Sequence, residues 1–273
     1  MILAEWRLIK NTPAKGAWNM AVDEAILNAV SKHLQKPTLR LYSWNPYCLS
    51  LGHAQPISDI NLILLKYYGW GLVRRPTGGR AILHADELTY SICAPLEDPH
   101  VSGSILESYR KLSSALMKAL QILGIHAISE PKHKHTLKLK NDPVCFEAPS
   151  DYEIMCNGKK IIGSAQARKN NSVLQHGAIP IFGDITRIIN VLNFPDDDAK
   201  TNASQNLKER AGTLEYFLNK KLSWDNVAQA VLDGFQSKLK INFILQNLSD
   251  YEHQLANDFV INKYDNDKWT KRI

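Results

Sequence analysis

Between residues 151 and 182 the sequence leaves the backbone few options. DYEIMC and KKIIGSA are separated by Asn157-Gly158, a pair suited to the positive φ angles of a two-residue hairpin turn whose twist matches that of the strands it joins. NSVLQHGAIPIF, after Asn170-Asn171, supplies a third strand-like run. The spacing predicts a three-stranded antiparallel meander over about 151–182. Such a sheet needs an apolar cover on at least one face, which the rest of the chain has to provide.

It does. Ser104-Ile-Leu-Glu107 is a capping box, and Ile105, Tyr109, Leu112, Leu116, Leu120 and Leu123 follow at helical spacing to a stop at Gly124. Asn19 to about His33 reads as a plain amphipathic helix, with Met20, Ile26, Leu27 and Val30 on its apolar side and Asp23 and Glu24 in its first turns, where the helix dipole favours them. From Thr38, TLRLYSWNP and then CLSLGHAQP are expected to be neighbouring strands. In GLVRRPTGGRAILHADELTYSICA (71–94), two strand-like pieces flank a segment containing Gly78-Gly79 and His84-Ala85-Asp86-Glu87.

Beyond about 184 the reading is mostly helix: ITRIINVL (185–192), a segment near Leu207–Leu218, Trp224–Leu239 capped by Ser223, and Tyr251–Ile261 capped by Ser249 with Glu252. The acidic, polar run Pro195 to Gln205 is the only linker-like shift, and 273 residues fit one large domain.

No stretch reaches the roughly 18 apolar residues of a membrane span, and MILAEWRLIK lacks the pattern of a secretory signal. A soluble cytoplasmic protein, with no membrane partner, is expected. Cys48, Cys93, Cys145 and Cys156 show no CxxC pairing, which argues against zinc and for free thiols in a reducing compartment. A net charge of +6 steers toward acidic partners. Nucleic acid is disfavoured among these, because the basic residues are not interleaved with exposed aromatics.

Cys145 lies in DPVCFEAPS, where Pro143 and Pro149 fix the backbone on both sides. A free cysteine is usually an inert small hydrophobe, so nucleophile and packing residue both stay open from local sequence. Lys160 is a solvated strand residue or, if buried, a usable acid or base. Gly78-Gly79 and Gly163-Ser164-Ala165 are bulges, or small-residue sites that leave a slot for a linear chain. Arg74 and Arg75 can hold a phosphate or carboxylate, or a structural ion pair. His84 and His176 are candidates for orienting hydrogen bonds, and no third ligand suggests a metal site. The basic segment 131–143, with Lys132, Lys134, Lys138 and Lys140, is expected to be a mobile surface loop, with a gate that docks an acidic carrier domain as its functional reading.

RRPTGGRAILHADELTYS (74–91), CFEAPSDYEI (145–154), GKKIIGSAQAR (158–168) and LQHGAIPI (174–181), in this order and spacing, resemble the biotin and lipoate protein ligase superfamily. The resemblance is greatest to its cysteine-dependent octanoyltransferases of the LipM type, and runs from EWRLI near residue 5 to KYDNDKW. It implies an α+β fold with a mixed, largely antiparallel central sheet flanked by helices, and an octanoyl transfer without cofactor. The donor would be octanoyl-acyl carrier protein, and the acceptors apo lipoyl domains such as glycine-cleavage H protein or E2 subunits. It further implies Cys145 as nucleophile and Lys160 as general acid and base. Arg75, Gly78, Gly79, His84, Gly163, Ser164, Ala165 and His176 would line the acyl pocket, with Trp44, Gly52 and Gln55 contributing from the early strands. Two rival chemistries share these motifs: an amidotransferase moving octanoyl or lipoyl groups between lipoyl-domain proteins, and an ATP-dependent lipoate ligase.

Overall fold

The computed structural model describes residues 3–131 and 152–273. The first half contains β1 (Ala4–Lys10), α1 (Gly16–Ser31), β2 (Thr38–Tyr42), β3 (Cys48–Leu51), α2 (Leu62–Tyr67), β4 (Gly71–Arg74), β5 (Ile82–His84), β6 (Glu87–Pro95), α3 (Ile105–Ile122) and β7 (Ile128–Pro131). The second contains β8 (Tyr152–Cys156), β9 (Lys159–Lys169), β10 (Ser172–Pro180), α4 (Asp197–Arg210), α5 (Leu214–Leu218), α6 (Trp224–Leu239), β11 (Ile241–Leu245), α7 (Asp250–Phe259) and α8 (Asp267–Thr270).

Eight strands form one sheet in the order β11-β1-β2-β6-β10-β9-β8-β7. Only β1 pairs in parallel, with β11 and with β2; the other neighbours are antiparallel. The expected α+β architecture is borne out. Both turns of the meander have the geometry their residues suit, with φ of 48° and 75° at Asn157 and Gly158 and of 50° and 56° at Asn170 and Asn171.

Helices α3 and α6 cover one face of this sheet. Leu112 and Leu116 are fully buried against Tyr90, Ile92, Val231 and Phe235, each leucine contributing about 1.5 to 3 kcal/mol by leaving water. The capping boxes at Ser104 with Glu107, Ser223 with Asn226 and Ser249 with Glu252 start α3, α6 and α7. On the other face α1 and α7 enclose Met20, Ile26, Tyr42 and Leu174. A second sheet, β4-β3-β5, rests on the 3-10 segment Ile185–Val191 and on Leu207 of α4.

Four expectations are corrected. β2 and β3 are not neighbours, because β1 and β6 already occupy both edges of β2, and the chain leaves it for the small sheet. The supposed linker is helix α4: Asp196 caps it, Asp197 and Asp198 fill its first turn and Lys208 and Arg210 its last, a distribution the helix dipole favours. The C-terminal third also holds a strand, β11, paired with β1. Finally, α1 begins at Gly16, so Asp23 and Glu24 sit in its interior, buried, rather than in a first turn.

Candidate active site

Strands β9 and β10 lie side by side, with Ser164 opposite Gly177 and Ala165 opposite His176. Facing them are Met20 of α1, Trp44 just beyond β2, Arg75 beyond β4, Ile82 and His84 of β5, and Thr89 of β6. With Tyr42, Gly163 and Ala178 these residues line a narrow slot. Close packing of the strands behind the slot also calls for small residues. A Cβ on Gly177 would stand 2.6 Å from the Gly163 carbonyl oxygen and 2.7 Å from Tyr90 Cε1.

The structure therefore gathers Trp44, Arg75, His84, Gly163, Ser164, Ala165 and His176 around one space. Gly52, Gln55, Gly78 and Gly79 stand behind it. Gly52 backs directly onto the 76–80 turn, where a Cβ would lie 1.8 Å from the Gly79 carbonyl oxygen, and Gly79 takes a φ of 95°. The Gln55 Oε1 accepts weakly from Gly52 N–H at 3.4 Å, and its side-chain amide donates to Asp59. Arg75 reaches the turn from the slot, donating to the carbonyls of Gly78 and Arg80 at 2.8 Å each and to Ser50. Arg74 points elsewhere. Fully buried, it donates to the carbonyls of Gly52, Gln55 and Thr270, and so pins the C-terminal segment to β4.

Two buried carboxylates that do not line the slot organise its polar wall. His84 stacks on Trp44, with ring centroids 4.0 Å apart and planes inclined at 11°. Its Nδ1 lies 2.7 Å from Glu87 Oε1 and its Nε2 2.8 Å from Ser50 Oγ. Trp44 Nε1 donates to Thr89, whose hydroxyl donates to the same Glu87 oxygen. Asp23 serves the second histidine. Its Oδ1 accepts from Arg40 and Ser91 and its Oδ2 from Tyr42, and His176 Nδ1 lies 3.2 Å from Oδ2. His176 Nε2 is 2.6 Å from Thr77 Oγ1. Burial works to raise the Asp23 pKa, but Arg40 and His176 outweigh it and hold the carboxyl below its ordinary value. Burial pushes His176 below the usual histidine value despite the hydrogen bond to Asp23.

Lys160, the second residue of β9, is 2% exposed, so it is not a solvated strand residue. Its Nζ donates to Glu153 Oε1 of β8 at 3.0 Å, and its carbonyl accepts from Gly212 N–H. The register shift near Ile154 and Met155 breaks simple alternation, and Lys160 to Gly163 are all buried.

Cys145 and the basic segment with Lys132, Lys134, Lys138 and Lys140 lie outside the described residues. The other three cysteines are buried and free, and burial raises the pKa of each thiol. That makes them poor nucleophiles.

Reasoning from sequence missed Asp23, Glu87, Thr77 and Glu153. One signal was available for the first: AVDEAIL places two carboxylates inside an apolar helical run, where an unpaired charge would be costly. Among the described residues no group of three metal-ligating side chains converges, and no helix is long and apolar enough to cross a membrane.

The chain is similar to known octanoyltransferases and lipoate ligases. An octanoyltransferase LipM of Carboxydothermus hydrogenoformans is 39% identical over 270 residues, covering 98% of this chain and 99% of the relative. One from Halalkalibacterium halodurans is 37% identical over 272 residues, with 98% and 99% covered. Among solved structures, lipoate-protein ligase A bound with ATP superposes with a TM-score of 0.80 at 26% identity, covering 98% of both chains. The bi-partite lipoate protein ligase of Thermoplasma acidophilum gives 0.80 at 26%, with 98% and 96% covered. The lipoyl protein ligase A/B catalytic domain matches residues 15–236, the span that carries the slot, the 76–80 turn and Lys160, and the chain belongs to that family.

Proposed function

We propose that this protein is an octanoyltransferase of lipoate biosynthesis, moving an octanoyl group from acyl carrier protein to the target lysine of a lipoyl domain. The observation that carries the reading is the near full-length similarity to octanoyltransferases at 37 to 39% identity. The narrow slot supports it, because small residues beside aromatic rings offer the kind of wall along which a linear acyl chain can lie.

In this reading residues 1–273 act as one catalytic domain in the cytoplasm. The Cys145 thiolate attacks the donor's thioester carbonyl, forming a new S–C bond as the carrier's thiolate leaves. The lipoyl-domain lysine amine then attacks the acyl-enzyme. The N–C bond forms, the Cys145 S–C bond breaks, and an amide replaces the thioester. Lys160, held by Glu153, takes the proton from the attacking group and returns it to the departing sulfur. Neither transfer needs ATP, since each acyl bond made is at least as stable as the one broken.

The test supplies octanoyl-acyl carrier protein and an apo lipoyl domain, and follows the acceptor by intact-mass spectrometry. Addition of one octanoyl group, with a covalent octanoyl adduct on Cys145 and complete loss of transfer in Cys145→Ala, is the expected outcome. Transfer only from an octanoylated H protein would make the enzyme an amidotransferase. The structural likeness to lipoate ligases favours a second alternative: incorporation of free octanoate or lipoate that requires ATP and survives Cys145→Ala would establish a ligase.

A further inference from the structure

Asp23 does not reach the slot, yet with a neutral His176 its hydrogen bonds admit only one arrangement of protons along the slot wall. Arg40 can only donate, so Asp23 Oδ1 is an acceptor. Oδ2 receives the Tyr42 hydroxyl and faces His176 Nδ1. An ionised carboxylate accepts only, and burial keeps the imidazole neutral, so the ring's single proton lies on Nδ1. Nε2 is therefore an acceptor, and the Thr77 hydroxyl must donate to it. Thr77 opens the turn that carries Gly78 and Gly79. Its carbonyl accepts from His53 N–H at 2.8 Å, and Arg75 holds the far side of the same turn through the carbonyls of Gly78 and Arg80.

We propose that Asp23 is a positioning residue for acyl transfer: by fixing the Nδ1–H tautomer of His176 it makes Thr77 a donor, and so sets where the 76–80 turn stands beside the slot. The arrangement of protons follows from this geometry with an ionised Asp23 and a neutral His176, and does not depend on the proposed function. The proposed function enters only in what the turn does, which is to present its backbone to the acyl group.

Asp23→Asn reverses the order in a defined way. The amide has one accepting and one donating end, and Arg40 cannot accept, so the NH2 group must face Tyr42 and His176. Tyr42 can rotate its hydroxyl to accept. His176 can accept at Nδ1 only by moving its proton to Nε2, which then donates to Thr77.

The experiment records long-range 1H–15N spectra of histidine-labelled protein at neutral pH, with His176→Gln to assign the resonance, and measures initial rates of octanoyl transfer. The expected result is Nδ1–H in the parent protein and Nε2–H in Asp23→Asn, with kcat lowered on the order of 10-fold and KM for the donor little changed. Thr77→Val should reproduce the loss of kcat while His176 keeps Nδ1–H. It also supplies the test if Asp23→Asn fails to fold. A parent protein with His176 protonated on Nε2 overturns the proposal. So does a flipped tautomer with unchanged kcat, or a Thr77→Val variant as fast as its parent. A parent protein that does not transfer octanoyl groups overturns the function instead, and the spectra still decide the proton order.

Discussion

Replacing Gly52 by alanine asks whether the position of the 76–80 turn matters to catalysis. The added methyl would sit 1.8 Å from the Gly79 carbonyl oxygen and 2.8 Å from its carbon. Real Cβ contacts shorter than 3.0 Å are essentially unknown, so going from 1.8 to 3.0 Å requires the carbonyl or the end of β3 to retreat by about 1.2 Å. The obstacle is backbone and cannot rotate away as a side-chain tip would. Arg75 and the Thr77–His176 hydrogen bond resist the movement from both sides. Overpacking of this kind costs about 1 to 3 kcal/mol, a fall in Tm of roughly 2 to 5 °C for a chain of this size. A misplacement of about 1 Å near reacting atoms costs about 100-fold in rate, far more than the stability loss explains while the protein stays folded. Calorimetry and initial rates of octanoyl transfer to a lipoyl domain read the two effects separately. Gly78→Ala is the control: its methyl meets nothing within 4 Å, so stability should change by no more than about 0.5 kcal/mol. A Gly52→Ala enzyme with parental rate and Tm would refute the idea that this close approach holds the turn.

Acid should weaken the fold through His176. Its folded pKa lies below 6.5 because of burial, so its contribution is whole above pH 6.5 and is lost as pH falls through the folded value; Asp23 and Glu24, also lowered, act the same way below their ordinary 3.8 and 4.5. His100 runs the other way, because its hydrogen bond to Asp98 raises it, and its contribution is whole below 6.5 and disappears as pH rises through the raised value. His100→Asn should therefore lower Tm more at pH 6 than at pH 9, and equal losses at both would discount the pair. Arg7→Met leaves Glu252 buried without the cation that joins β1 to α7, at a cost of about 3 to 5 kcal/mol in urea unfolding; a loss under 1 kcal/mol would mean the pair contributes little.

What could be read from the sequence was local. Asn157-Gly158 fixed a turn because both residues tolerate positive φ, and Ser104 with Glu107 fixed a helix start because the two reach each other across one turn. Features set by distant partners did not show. INFIL at 241–245 follows a helix with no turn residues of its own, and becomes a strand only because the edge of β1, more than 200 residues earlier, is open to it. Lys160 could be placed on a strand, but alternation cannot say which face other elements will cover. Asp23 looked like a helix-dipole residue because Arg40, Ser91 and His176 come from three different strands.

The same distinction bears on how, in the proposed function, a wall containing Trp44, His84, Thr89, Ser164 and His176 would accept a hydrocarbon chain. By composition it is a polar surface. Leaving such groups unpaired in a closed slot costs about 1 to 3 kcal/mol each, and an acyl chain offers them nothing in return. Here the indole, the hydroxyls and both imidazoles already have protein partners: Trp44 donates to Thr89, Thr89 to Glu87, Ser164 pairs with Tyr90, and the histidines lie between a carboxylate and a hydroxyl. Trp44, Thr89 and the two histidines are thus bonded back to Glu87 and Asp23, and Ser164 to Tyr90, which accepts from Gln175. An apolar site is thus built from polar residues. In the proposed acyl site, two acids outside the lining would keep these polar groups occupied, which is why a list of lining residues alone would miss them.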